Sequence, residues 1–415
     1  MRFRLYRNAD YRAADVIGSR FYVLGAMKIV YVHTDPLPSP MAGSIFALNT
    51  AVGLAKAGHE TVLIMPNAGQ SVEEALRYYN IDPPKNLRIM LPASQKIIIG
   101  PIRFTYTPQY YRAVRKVIEA EAKDADGVIV RTLRLSAYLT LPPITPHLYY
   151  EIHNWYGDLD KKWEDARWMI SRKKMKKERE LSIVEKATFH RVYGLIAMRQ
   201  ATANLMKEQA PNMPITIAPS GLNAPSRLPD VSSDPVAVYA GQLHPHKGIE
   251  TLLEAARLEP KIRLRIVGGG QWLEHWEKVA EDKKIQSRVF FTGHVPSARV
   301  PAELAKGRVG VLPLLDCFFN RYLTSPSKIM EYFAAGLPVV TADGPVTSEV
   351  VSQEQTGLLT PFGDPVSLAE SILRLCTDTA LHDTCRGNIM KMLPEQTWER
   401  RGAIIGDFIK KVGNR

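Results

Sequence analysis

The chain carries the same local pattern twice: a strand of consecutive apolar residues, a glycine-bearing loop, a helix-spaced stretch and a second strand. In the first copy Ile29, Val30 and Val32 fall within Lys28–His33, which reads as a strand buried on both faces. A Pro/Gly/Ser loop follows through Gly43. Ile45, Leu48, Val52 and Ala55 then recur at helical spacing over Ser44–Lys56, Gly58 ends that helix, and Thr61–Met65 returns as a strand. In the second copy Val236–Ala240 predicts a strand, Gly241–Gly248 a loop, Ile249–Leu258 a helix and Arg263–Val267 the next strand. A strand that returns across a helix is the unit of parallel α/β sheets. Two such units predict two Rossmann-like domains facing across a cleft, with the chemistry on the loops after the strands.

The length of 415 residues accommodates two such domains. Pro219, Pro225, Pro229 and Pro235 cluster with Ser and Gly and place the junction there. The predicted N-terminal domain covers 27–220 and the C-terminal domain 221–396. Residues 1–26 hold five arginines and an apolar stretch, Phe21–Leu24, too short for a signal-peptide core; they are read as a disordered extension, or an upstream start ahead of Met27.

Composition narrows the class. With 45% hydrophobic and 23% charged residues the chain has a soluble globular balance, and no apolar run nears the roughly 18 residues of a spanning helix. Cys317, Cys376 and Cys385 form no C-x-x-C pair, and an odd count argues for a reducing compartment. A cytoplasmic protein is expected. His and Cys never gather at ligand spacing, so neither a metal nor another cofactor is expected. A net charge of +12 favours anionic partners. Nucleic acid is set aside, because no recognised fold or aromatic platform accompanies the charge.

Two loops carry the candidate chemistry. Gly241–Gly248 reads G-Q-L-H-P-H-K-G between a strand and a helix. Its glycines let backbone approach a ligand, the helix start favours an anion, and Lys247 adds a mobile cation suited to phosphate. Thr324–Gly336 reads T-S-P-S-K-I-M-E-Y-F-A-A-G. Ser325 is a good N-cap, Pro326 fits the first helical position, and free amides with Lys328 suit a phosphate. Glu331, a turn and a half on, offers a carboxylate that can accept from both hydroxyls of a ribose. Taken singly, each loop is also an ordinary capped strand-to-helix turn.

The order of these and further segments resembles the retaining glycosyltransferases of family four. The stretches are V-Y-A-G-Q-L-H-P-H-K-G-I-E-T-L-L-E-A-A, L-R-I-V-G-G-G, V-F-F-T-G-H-V, S-P-S-K-I-M-E-Y-F-A-A-G-L-P-V-V and T-G-L-L-T-P-F-G-D-P, across residues 236–375. The N-terminal half matches more loosely, through its first strand, the Gly43 loop, K-A-G-H-E-T-V and Y-E-I-H-N. The resemblance implies the two-domain GT-B fold, with 397–415 forming a last helix that returns to the N-terminal domain. It implies a nucleotide-diphosphate sugar donor and a hydroxyl acceptor, a glycan or a lipid-linked one, in cell-envelope synthesis. It also implies roles: Lys247 on the diphosphate, Glu331 on the ribose, amides near Ser325 and Ser327 on the phosphates with Lys328 beside them, Gly43 close to the transferred sugar, His153 near that sugar, and the Gly293–Val295 backbone beside the base.

Two positions depart from the family pattern: Gln242 stands where many members carry arginine, and Leu323 where many carry a second glutamate. Asp316, Asn320 and Arg321 are the candidates to replace the lost sugar contacts. Two alternatives to a transferase stand: a GT-B nucleotide-sugar epimerase and, given these departures, a catalytically silent nucleotide-sugar-binding scaffold. Two D-x-D tripeptides, Asp124–Asp126 and Asp158–Asp160, are read as chance occurrences. The stretch 161–177 sets eight lysines and arginines against Glu164 and Asp165, with Trp163 and Trp168 interleaved. It is either a solvated helix or a contact for an anionic membrane surface.

Overall fold

A computed structural model describes residues 25–39, 41–92, 96–99, 102–105, 107–164, 171–296, 299–324, 327–352 and 355–413. Most of the expected extension at 1–26, the Ser325–Pro326 step and the 165–170 part of the basic stretch therefore lie outside the described residues.

The repeated pattern builds two parallel sheets. The first half contributes β1 (Lys28–Val32), β2 (Glu60–Ile64), β3 (Leu87–Met90), the hairpin strands β4 (Lys96–Ile99) and β5 (Ile102–Thr105), then β6 (Gly127–Val130), β7 (Leu148–Glu151), β8 (Gly194–Ala197) and β9 (Ile215–Ile217). Seven of these form one sheet in the order β3-β2-β1-β6-β7-β8-β9, and β4 pairs with β5 alone. The second half contributes β10 (Val236–Ala240), β11 (Arg263–Val267), β12 (Val289–Phe291), β13 (Val309–Leu312), β14 (Val339–Ala342) and β15 (Gly357–Thr360), ordered β12-β11-β10-β13-β14-β15. Strands β1, β6, β10 and β13 are rich in valine and have no exposed residue, as strands covered by helices on both faces must be.

Chain order reverses between β1 and β6 in one sheet and between β10 and β13 in the other. Ligands of open α/β sheets bind at such reversals, beyond the carboxyl ends of the strands. Trp155, just after β7, stacks on Phe318, after β13, with ring centres 5.0 Å apart. Phe318 and Leu323 belong to the same apolar cluster as Val30, Val128 and Tyr150 of the N-terminal half. Contacts between the halves thus join residues that follow strand ends, and the two carboxyl edges face each other.

The last helix, Trp398–Gly413, returns to the N-terminal half. Its Ile405, Ile409 and Val412 pack with Ile29, Tyr31 and Leu48. The same helix delivers Arg401, 1% exposed, to Glu151, 0% exposed, at the end of β7. The Arg401 guanidinium stands 3.0 Å from Glu151 and donates to the carbonyls of Ala218 and Pro219. Tyr31 Oη donates at 2.8 Å to Glu151 Oε2, the same oxygen that Arg401 approaches, and Arg131 lies 3.6 Å from Oε1. A buried carboxylate is tolerable only when so enclosed by cations and donors.

Candidate functional site

In the C-terminal half the site starts where β10 ends. Tyr239 Oη donates to Gln242 O and Trp276 Nε1 to Leu243 O, each at 2.7 Å, so the Gly241–Gly248 loop is held by buried aromatic side chains. Pro245–Lys247 makes a single 3-10 turn that ends at Gly248 with φ 76°. A Cβ there would lie 1.6 Å from Pro313 O, so only glycine lets this loop close on the chain leaving β13. Asn320, 1% exposed, donates from Nδ2 to His246 O and to Leu315 O at 2.8 Å each. The backbone beside Lys247 is thereby fixed.

Lys247 Nζ lies 5.6 Å from the centre of the Phe319 ring. Burial pushes its pKa below the usual lysine range, against a small opposing effect of Cys317. Among the described residues no carboxylate pairs with it. His246, which the sequence reading passed over, is pushed down to about 4 by burial and by the neighbouring Lys247 and His244, so it is neutral at physiological pH.

Glu331 sits on the helix Ser327–Ala334. Its neighbour Tyr332 is fully buried, accepts from Ala240 N at 2.8 Å and donates to Val311 O at 3.1 Å. One hydroxyl therefore bolts the Glu331 helix to β10 and β13 at the reversal that carries the Lys247 loop. Lys328 Nζ stands 2.9 and 2.8 Å from the two Glu331 oxygens, with the pair 36% and 40% exposed. Ser327 opens the described helix and is exposed, and Ser325 lies outside the described residues. Gly293, with φ 68°, bridges to Gly268 at the ends of β12 and β11, and Val295 follows it half-buried. Gln242 is exposed.

Each candidate replacement for the missing glutamate has a partner of its own. Asp316 and Arg321 pair with each other at 2.5 Å, and Asn320 Nδ2 donates to two backbone carbonyls while its Oδ1 is buried without a partner. Leu323 is 8% exposed within the cluster joining the two halves. An apolar residue there seals the seam instead of reaching a sugar.

In the N-terminal half, Gly43 lies in the first turn of the helix Ala42–Lys56. A Cβ on it would fall 2.2 Å from Asp35 Oδ2 and 2.8 Å from His33 Nε2, atoms themselves 3.0 Å apart. His33 holds the Asp35 carboxyl below its ordinary range. His153 has an exposed surface, yet the protein around it, with Arg131 and His33, pushes its pKa down to about 4. A neutral imidazole, an ionised carboxylate and the Arg131 guanidinium, which lies 3.9 Å from the Phe46 ring centre, thus share the ends of β1, β6 and β7. The sequence reading found His153 and Gly43 but not His33, Asp35 or Arg131. Their one signal is position: His33 and Asp35 lie at the end of β1 and just beyond it, and Arg131 follows β6.

Both D-x-D tripeptides have structural work. Asp124 pairs with Lys28 at 2.5 Å, Asp126 accepts from Lys28 N, and Asp158 caps the helix Leu159–Trp163 by accepting from Lys161 N. In the basic stretch Lys162 turns inward, 5% exposed, to Glu178 at 3.2 Å, and Trp163 Nε1 also donates to Glu178. Arg172, Lys173, Lys174, Lys176, Lys177 and Arg179 remain exposed on the helix Arg172–Phe189.

Two facing parallel sheets with a last helix returning to the first define the GT-B class of transferase folds. Family models for the glycosyltransferases of family four and for the glycosyl transferases of group 1 match residues 43–224 and 234–378. The chain belongs to this glycosyltransferase family. A GDP-mannose-dependent alpha-(1-6)-phosphatidylinositol monomannoside mannosyltransferase of Mycobacterium tuberculosis is 31% identical over 185 residues, 42% of this chain and 47% of that protein. The lipopolysaccharide core biosynthesis glycosyltransferase LpsE of Rhizobium meliloti is 26% identical over 38% of this chain and 44% of its own. The chain thus matches about half the length of these relatives. Solved structures agree over nearly the whole chain: a sucrose-phosphate synthase from Thermosynechococcus elongatus (TM-score 0.69, 18% identity, 93% of this chain and 99% of that one) and Anabaena HepE in complex with UDP and glucose (0.64, 17%, 92% and 99%).

Proposed function

We propose that the protein is a retaining glycosyltransferase that moves a sugar from a nucleotide-diphosphate sugar to a hydroxyl of a glycan or lipid-linked acceptor. The observation that carries this reading is the Tyr332 hydroxyl, which ties the Glu331 helix to the strand end that launches Lys247. It ties to one frame the lysine we assign to the diphosphate and the carboxylate we assign to the ribose. The relatives named above, among them a GDP-mannose-dependent enzyme and a neighbour solved with UDP, support a nucleotide-sugar donor.

The bond between the anomeric carbon and the diphosphate oxygen breaks, and its electron pair stays on the leaving phosphate. Lys247 and Lys328, placed before the reaction, stabilise that charge. The acceptor oxygen bonds to the anomeric carbon on the face the phosphate leaves, and the phosphate takes the acceptor proton. With Leu323 buried at the position of the second glutamate, no carboxylate is nominated as a covalent nucleophile. His153, neutral above about pH 4, offers the sugar a hydrogen bond without competing for the proton. We assign no metal to this step.

The exposed basic face of Arg172–Phe189 supports docking on an anionic membrane surface where a lipid-linked acceptor would lie. One experiment tests the scheme: purified protein with GDP-mannose, UDP-glucose and other donors, with and without acceptor in anionic or neutral vesicles. Acceptor-dependent nucleotide release, faster on anionic vesicles, is expected. Isomerisation of the donor without acceptor would make the protein an epimerase, and binding without turnover a scaffold.

A further inference from the structure

The helix Gln200–Gln209 begins two residues after β8, and its N-cap residue Arg199 supplies no side-chain cap. The missing acceptor comes from the other half of the molecule. Glu349 Oε2 accepts from Gln200 N at 2.9 Å and Glu349 Oε1 from Ala201 N at 2.7 Å. The carboxylate thus satisfies two of the amides that a helix start leaves open, at the positive end of the helix dipole.

Glu349 is exposed, and the turn that carries it is braced by its own hydrogen bonds. This turn follows β14, and in it Thr347 Oγ1 donates to Ala342 O and accepts from Gly344 N, and Ser348 Oγ donates to Gly344 O. Arg199 lies beneath, 6% exposed, with Nε and Nη2 buried and unpartnered. Burial pushes the Arg199 pKa down to about 10; against this Glu349 favours the ionised form, while Arg401 opposes it. One turn along the same helix, Thr202 Oγ1 donates to Tyr322 O at 2.7 Å. Tyr322 belongs to the Phe319–Leu323 segment whose Asn320 and Phe319 abut His246 and Lys247. A single N-terminal helix therefore grips both the β14 turn and the segment behind the donor lysine.

We propose that Glu349 is a positioning residue: by capping this helix across the cleft it holds the two halves in the register that presents the donor to the acceptor side. Opening the cleft strands two amides and leaves Arg199 without its counter-charge. The turnover part rests on the transferase reading above; the geometric part does not.

Small-angle scattering of the full chain with saturating UDP or GDP, together with calorimetry and turnover, tests it in Glu349→Gln and Glu349→Ala. The alanine variant is expected to show a larger radius of gyration and a kcat lowered about tenfold or more, with nucleotide affinity and donor KM within about twofold, because Lys247 and Glu331 both lie in the C-terminal half. Glu349→Gln, which keeps one acceptor, is expected in between. Unchanged scattering in both variants would overturn the proposal, whether or not transfer is detected. So would nucleotide affinity falling in step with kcat, which would mark damage within the C-terminal half. Should the alanine variant fail to fold, the glutamine variant decides by the same readouts.

Discussion

Glu151 and Glu331 are both carboxylates near a switch point of a parallel sheet, and they live under opposite physics. Glu151 is fully buried and enclosed by Tyr31, Arg131 and Arg401, the last reaching it from the far end of the chain. Glu331 is 40% exposed and shares its charge with Lys328 three residues away. An exposed pair at this spacing contributes about 0–1 kcal/mol, while breaking a buried pair costs about 3–5 kcal/mol. The enclosed carboxylate fastens the returning helix to the N-terminal sheet. The loosely held one can release its lysine at little cost, as the proposed contacts with a phosphate and a ribose require.

The comparison can be broken from either side. Glu151→Ala should have the largest effect, because it leaves two buried arginines facing each other: thermal unfolding should show a loss of about 3–5 kcal/mol, or no folded protein at all. A variant that melts normally would mean that the arginines find water and that the enclosure is dispensable. Glu331→Ala should invert the pattern. Turnover should fall at least about a hundredfold, equal to about 2.7 kcal/mol, while the melting temperature moves by no more than about 2 °C. Near-normal turnover there would remove Glu331 from the site.

How much of this was legible in the sequence follows from the range of each interaction. The strands β1, β2, β10 and β11 and the Lys247 loop are local events written in consecutive residues, so periodicity and turn chemistry reveal them. The short strands β8 and β9, Gly194–Ala197 and Ile215–Ile217, escape a reading of consecutive residues, and pairing in the finished sheet defines them. Glu151 and Arg401 are 250 positions apart along the numbering, and nothing near either residue announces the other. The cap from Glu349 to Gln200 is hidden for the same reason. Lys162 misled in the opposite sense: amid a basic run it reads as solvated, and only the fold shows it turned onto Glu178. Loop chemistry singled out Lys247 and Glu331, and the family resemblance gave weight to two turns that taken singly are ordinary.

Lys247 sharpens the comparison, since it lies between its extremes, half-buried yet without a carboxylate partner among the described residues. Burial favours the neutral amine, so its pKa is depressed, and the protonated form is the one that binds a diphosphate. Nucleotide affinity should therefore hold at neutral pH and decline as pH rises through the depressed value, below the roughly 10.4 of a free lysine. His246, neutral above about 4, adds no step between pH 5 and 8. Lys247→Ala should weaken nucleotide binding about tenfold at pH 7 and abolish the alkaline decline. Lys247→Arg, whose guanidinium stays charged, should bind at pH 7 and move the decline to higher pH. Calorimetric titrations across pH 6 to 10 separate these outcomes. An alkaline limb of the same height and position in all three proteins would assign the titration to another group and leave Lys247 a spectator.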